Sequence, residues 1–583
     1  NNQRGSIPIS EHYLREKDRP QSELALQTRP PAHSLPTDDG VSLALGLVRT
    51  ALVPVLLLSL TLLGLSLRLR PLVVNRLRED EALYASWALL IATGKDPGLL
   101  SVAVDKPPFF IYLLALCFRL FGGSEAVARL PNLIASTLAL PLLYALGLRL
   151  YGHRVALLAS AFFALSPFAI LFAPTVYTDP WLLTWTLTAA VAAVHRRWGW
   201  AGVGLGLACA TKQQGVFFLP LVIGLGWASS LQPGEQRQTW QSRLTRLALG
   251  MALPLLLMFW WDARRWHVQP GFLDRSLQTY APLTLVPWQA LPERATDWLT
   301  QASYLTASPW LDGLLLAGQG QLLLPKAQVS RADWVLVGWS GAYMLLHLLV
   351  SFSVWDRYLL GLTPVVALLL ARILERLTET VARRAVTAHL KQQLVRIFFP
   401  VLVLVVMLLG PAMRAARSGY PVGGDHGAYD GIDLVADHLQ VTLPPSFDQA
   451  IVYHRWLGWH YRYYLFGAPY EFRWWPEAYK LARDVLAHLG EVQVIVFPGW
   501  HLRERDRVQQ VLAGYGLGLR ETLRTYRRDG TLSFIVYRIE QLPATANQLS
   551  ALSLQRHLHL QRTPAPRSGA VRGVQVSASS ADG

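Results

Sequence analysis

Long uninterrupted apolar runs are the feature that most narrows what this chain can fold into. The run ALVPVLLLSLTLLGLSL at 51–67 carries no charge. It is close to the roughly 20 residues needed to cross a hydrocarbon layer. Comparable runs lie at 130–148, 155–173, 181–194, 200–211, 216–230, 247–261, 308–324, 334–352, 358–371 and 397–411. Backbone polar groups in lipid must be satisfied within their own segment, so such runs become helices. They predict a polytopic α-helical membrane protein with about 11 spans. Only 16% of residues are charged, against about a quarter in soluble domains. Cys117 and Cys209 are the only cysteines and both sit in apolar segments, which excludes a disulfide framework and a cysteine zinc site. The net charge of +16 fits the positive-inside excess of a polytopic protein. Nothing in the chain offers the basic, aromatic-bearing soluble face that a nucleic acid would need.

Charge in the connections sets the expected orientation. Basic residues alternate with the spans: Arg149 and Arg154, then His195 to Arg197, then Arg237, Arg243 and Arg246, then Lys326 and Arg331, then the segment 372–396. Such connections belong on the cytoplasmic side. The opposite face then receives residues 79–108, Asp179, Lys212, Arg264 to His267, and Asp356 to Tyr358. Residues 1–42 are polar and aperiodic and predict a disordered cytoplasmic tail. Residues 43–411 form the membrane domain. Past Pro411 the composition becomes that of a soluble domain. AIVYHRW, YEFRWW, VQVIVFP and LSFIVYRI predict strands, and YKLARDVLAHL and RERDRVQQVLAGYG predict helices between them. This pattern predicts an extracytoplasmic α/β domain over 412–540, followed by a disordered tail over 541–583.

The stretch 79–108 stands out between the first apolar runs. It opens with Glu79, Asp80 and Glu81 and closes with Asp105, Lys106, Pro107 and Pro108. DEALYASWALLIATG predicts a short interfacial helix with Asp80 as its cap and Gly94 as its stop. The run 109–122 is short for a span and predicts a second interfacial helix. Each notable residue has a plain alternative. Asp80 alone could be only a cap, and Asp179 before Pro180 makes a good N-cap and N1 pair. Lys212, Arg264, Arg265 and Arg357 could snorkel to head groups, and His267 could be a surface histidine. The case for a site is that all of them fall on one predicted membrane face, where ionisable residues mark function by default. Asp105 and His267 are the pair open to a divalent cation, and two ligands on distant loops define no metal site. The aromatic run Trp456 to Tyr464 could stack on sugars, pack a sheet or form an interface belt, and packing is the favoured reading.

In their order along the chain, these residues resemble the polyprenyl-phosphate-sugar-dependent glycosyltransferases of the GT-C fold, in particular the aminoarabinose transferase and protein O-mannosyltransferase superfamily. The resemblance rests on Asp80-Glu81 and Asp105-Lys106-Pro107-Pro108, then Ala128-Arg129-Leu130-Pro131 and Leu150-Tyr151-Gly152. Thr178-Asp179-Pro180, Thr211-Lys212 and Arg357-Tyr358 with Pro364 follow. It implies a sugar donor on a polyprenyl phosphate, a lipid, glycan or protein acceptor, and inversion at the anomeric carbon. It also implies Asp80 as general base, with Glu81 and Asp179 beside it in the catalytic set. Asp105, Lys106, Lys212, Arg265, Arg357 and Tyr358 would bind substrate. Family members often carry Arg three positions after the loop aspartate, where this chain has Leu83, so Arg76, Arg78 or Arg265 would have to supply that cation. The site and the α/β domain are expected on the extracytoplasmic side of the cytoplasmic membrane. The alternative is a polytopic transporter of a lipid-linked or small polar substrate. That function calls for broken or charged helices at mid-membrane and repeated halves, whereas here the charges sit at helix ends and no repeat is found.

Overall fold

The computed structural model describes residues 39–229, 238–279, 284–320, 329–385, 389–446 and 449–542. Most of both expected tails therefore lies outside the described residues. Residues 1–52 form one unit, described as the opening turns of a helix from Asp39, and residues 53–583 form a second.

The helices run in chain order as α1 (Asp39–Val74), α2 (Glu79–Ala92), α3 (Phe109–Phe121), α4 (Glu125–Tyr151), α5 (His153–Leu165), α6 (Pro167–Phe172), α7 (Asp179–Val194), α8 (Trp198–Thr211), α9 (Leu219–Ala228) and α10 (Trp240–Ala263). Then come α11 (Phe272–Thr279), α12 (Leu291–Ser303), α13 (Pro309–Gly320), α14 (Arg331–Leu349), α15 (Thr363–Ala385), α16 (His389–Leu404) and α17 (Gly410–Ala415). Among the described residues, five segments are long and apolar enough to cross a membrane: Leu52–Arg70, Glu125–Tyr151, Trp240–Ala263, Asp356–Arg384 and Lys391–Ala415. The expected count of 11 is not reached on length and composition. Helices α7 and α8 have only 16 and 14 residues.

Proline explains one departure from expectation. The apolar run 155–173 is two helices, because Pro167 cannot donate to the preceding turn. Ser166 instead caps the new helix, its Oγ accepting the Ala169 N–H at 3.4 Å. Within the bundle, close packing depends on missing side chains. A Cβ at Gly202 would meet the Leu247 carbonyl oxygen at 2.1 Å, and one at Gly250 the Gly199 oxygen at 2.0 Å. α8 and α10 thus touch backbone to backbone, the small-residue contact typical of helices packed in lipid.

The C-terminal region builds a five-stranded sheet from β1 (Ala450–His454), β2 (Glu471–Trp474), β3 (Val492–Pro498), β4 (Leu517–Tyr526) and β5 (Leu532–Gln541), in the order β2-β1-β3-β5-β4. β1 pairs parallel with β2 and β3, and β5 pairs antiparallel with β3 and β4. α18 (Ile432–Thr442) packs Ile432, Val435 and Leu439 on one face. α20 (Ala478–Ala487) and α21 (Leu502–Ala513) cover the other with Leu481, Val485, Val508 and Leu512.

The aromatic run forms α19 (Gly458–Tyr464), which packs on α2. His460 Nε2 lies 2.9 Å from the Leu77 carbonyl oxygen. Tyr463 donates to the Gly123 carbonyl at 2.8 Å and Tyr464 to Glu125 at 2.7 Å. The sheet domain therefore sits on the end of the bundle that carries residues 76–125.

Candidate active site

Helix α2 begins at a loop that its own acids organise. Glu81 accepts the Arg78 N–H at 2.9 Å through one oxygen and the Val176 N–H at 2.8 Å through the other. It is 1% exposed. Glu81 thus fastens the start of α2 to the turn before α7, and both carboxylate oxygens are engaged by backbone. Glu81, expected in the catalytic set, stands beside Asp80 at the start of α2 with these two backbone contacts. Asn132 holds the same turn from α4, donating to the carbonyls of Thr175 and Tyr177 at 2.6 and 2.7 Å.

One turn position earlier, Asp80 points elsewhere. Its Oδ2 accepts from the Arg357 guanidinium at 2.5 Å. Arg357 precedes α15 and lies over the rings of Trp355 and Tyr177 at 3.7 and 5.2 Å. The two partners differ in access. The Asp80 side chain keeps 28% of its surface and Arg357 only 5%. Burial alone would raise the Asp80 carboxyl. Arg357, with Lys106 and Arg78 behind it, more than reverses this and holds it below the usual carboxylate range.

Two further pairs complete the cluster. Lys212, just past α8, contacts Asp179 at the start of α7 at 2.7 Å, with both side chains under 10% exposed. Its ammonium lies 4.6 Å from the centre of the Tyr358 ring. Burial pulls the Lys212 ammonium down to about 8, with Asp179 opposing the shift. Lys106 contacts Asp105 at 2.5 Å, and the Asp105 carbonyl accepts from Gln213 at 2.8 Å. The field of Lys106 acts on both Asp80 and Lys212. Residues from four separate stretches of chain therefore share one site, as three acids beside three cations. A buried cation keeps its charge only when paired, so the pairs preserve positive charge where water is scarce.

The structure does not bring every expected residue here. Arg265 donates to the Leu99 and Val102 carbonyls at 3.1 and 2.9 Å and stacks on Trp261 at 4.6 Å. It secures the backbone of the 94–108 loop. Arg76 is engaged by Glu125 and Asp433. Of the three alternatives to the missing loop arginine, only Arg78 reaches the cluster. It donates to the Gly423 carbonyl at 3.4 Å, and its charge acts on Asp80. Asp105 is bound to Lys106, and His267 is exposed past α10. The described residues hold no group of three or more His, Cys, Asp or Glu placed to share a metal. Trp355, Tyr177 and Asn132 were not legible as site residues. Only Asn132, an amide inside an apolar helix, carried a usable signal.

Residues 105–261 match the family model described as dolichyl-phosphate-mannose-protein mannosyltransferase. That segment holds Asp105, Lys106, Asp179 and Lys212. The fold is similar to that of ArnT from Cupriavidus metallidurans, solved bound to undecaprenyl phosphate, with TM-score 0.53 at 17% identity over 84% of this chain and 97% of that one. The apo structure of the same protein gives TM-score 0.55 at 16% identity over 85% and 98%. A looser likeness, TM-score 0.48 at 15% identity over 85% and 75%, is to the Archaeoglobus fulgidus oligosaccharyltransferase. A search of curated proteins found no match. The GT-C architecture expected from the sequence is the one observed.

Proposed function

We propose that this chain is an integral membrane glycosyltransferase. It moves a sugar from a polyprenyl-phosphate carrier to an acceptor hydroxyl, with inversion and with Asp80 as general base. The observation that carries the reading is the Asp80–Arg357 pair, in which the acid keeps part of its surface exposed and the cation is buried. Asp80 Oδ2 is occupied, and Oδ1 has no partner among the described residues. Oδ1 is the atom available to take a hydroxyl proton. The acceptor oxygen then attacks the anomeric carbon from the face opposite the phosphate. The carbon–oxygen bond to phosphate breaks and its electron pair leaves on the phosphate. That departing dianion requires fixed positive charge, which Lys106, Lys212, Arg78 and Arg357 offer at the same place. Asp105 and Asp179 keep the two lysines in position, and Tyr358 lies against Lys212.

The extracytoplasmic orientation rests on charge at the two ends of the helices. α7 starts at Asp179 in the cluster and ends before His195, Arg196 and Arg197. The segment Asp356–Arg384 starts beside Arg357 and ends in Arg383 and Arg384. The basic ends belong to the cytoplasm by the positive-inside rule, which assigns the cluster and the sheet domain to the outer side of the cytoplasmic membrane. The test is sugar transfer from a radiolabelled polyprenyl-phosphate sugar to cell-envelope extract, by purified wild type and by Asp80→Asn. Equal transfer by both would remove Asp80 from the mechanism, and no transfer by wild type with any donor would remove the reaction.

A further inference from the structure

Two turns along α2 from Asp80, a cavity of about 310 Å3 opens between α2, the 94–108 loop and α19. Trp87 and Trp459 form its walls, with ring centres 6.5 Å apart at 74°. Trp87 is buried, and its indole N–H has no acceptor among the described residues. Arg462, also in the lining, lies over Trp459 at 4.7 Å. Among the described residues Arg462 makes no hydrogen bond and no ion pair. No acid lines the cavity. A second cation, Lys95, lies 4.6 Å from the centre of Phe466, another lining residue, and it too has no acidic partner among the described residues. The other large cations nearby are engaged: Arg265 by carbonyls, Arg76 by carboxylates and Arg357 by Asp80. An arginine stacked on an indole with no acid beside it presents its guanidinium fork to an anion.

We infer that this cavity binds an anionic saccharide, a sugar ring bearing a carboxylate or a phosphate, as part of the acceptor. The ring would lie against Trp459, as apolar sugar faces do on aromatic side chains, and the anion would take the Arg462 fork with Lys95 at the mouth. The placement rests on the proposed role of Asp80. Trp87 lies seven residues after Asp80, so both fall on nearly the same face of α2, about 10 Å apart along the axis. A hydroxyl at Asp80 and a neighbouring acidic unit at Trp87 would then belong to one acceptor lying along that face.

The test is isothermal titration of the full-length protein in nanodiscs with four probes: a glucuronate disaccharide, glucose 6-phosphate, neutral maltose and inorganic phosphate. The expected result is binding of at least one charged sugar ten-fold or more tighter than maltose and than inorganic phosphate. The carboxylate and phosphate arms identify which anion. Arg462→Gln should abolish the preference for charge, while Arg462→Lys should keep part of it. Trp459→Ala should weaken both charged and neutral sugars. Equal binding of charged and neutral sugars, phosphate binding as tight as that of the sugars, or an unchanged preference in Arg462→Gln would each overturn the inference. Asp80→Asn should bind these probes as wild type does. Lost transfer with retained binding therefore separates the acceptor cavity from the proposed reaction.

Discussion

Arg357 holds Oδ2 of Asp80 across 277 residues of chain, and Oδ1 of the same carboxylate is left for another partner. Asn at position 80 keeps the size of the side chain and can still accept from Arg357, and it cannot take a proton. Asp80→Asn should leave yield and monodispersity unchanged while kcat falls ~10²–10⁴-fold, the usual contribution of a general base. Single-turnover transfer of a labelled sugar measures this, and a loss under ten-fold contradicts the assignment.

The same pair fixes the acid side of the pH profile. A carboxylate whose folded pKa is depressed stabilises the fold above its unfolded value, near 4, and that stability is lost as pH falls through the folded value. Asp80 should accordingly stay ionised throughout the neutral range. In Arg357→Gln burial is less opposed, so the acid limb of residual activity should move to higher pH. An unmoved limb, read from initial rates between pH 4 and 7, would show that Arg357 does not set the Asp80 charge.

On the alkaline side Lys212 is the group to watch. With its pKa near 8, it loses its charge just above neutrality, and a phosphate-binding role is lost with it. kcat/KM for the donor should fall above that pH. Asp179→Asn removes the contact that holds the proton on Lys212, so its alkaline limb should lie at lower pH than that of wild type. A limb that stays in place would assign it to another group.

Glu81 separates position from chemistry. Replacing it with Gln removes acceptance of one of two buried backbone N–H groups, a loss of roughly 1–3 kcal/mol. Glu81→Gln should melt at lower temperature yet retain most activity per folded molecule at low temperature. A stable variant without activity would keep Glu81 in the catalytic set.

Helix positions and the gathering of charge at one membrane end were legible because both follow from local pattern: apolar runs, basic connections and residues at helix starts. Pairing was not. Asp80 could be linked to Arg357, or Lys212 to Asp179, only once the helices were packed. Arg265 reads like any outer-face cation, and its work on the Leu99 and Val102 carbonyls depends on where a distant loop lies. β4 escaped because LGLRETLRTY is an edge strand with solvent on much of its surface, so it lacks the apolar content that marked the other four. The run 155–173 was read as one span because composition averages over the break that Pro167 imposes.

The residue before each half of the central pair is held by the chain that leads into the sheet domain. The Gly423 N–H donates to Asp356 at 2.8 Å, and the Tyr429 hydroxyl donates to Glu79. During synthesis Glu79 emerges 350 residues ahead of Tyr429. A nascent chain can have nearly every membrane helix inserted and still lack the two contacts that set Asp80 opposite Arg357. Under the proposed reaction, competence for transfer belongs to the finished polypeptide, and truncated products left in the membrane should be inactive.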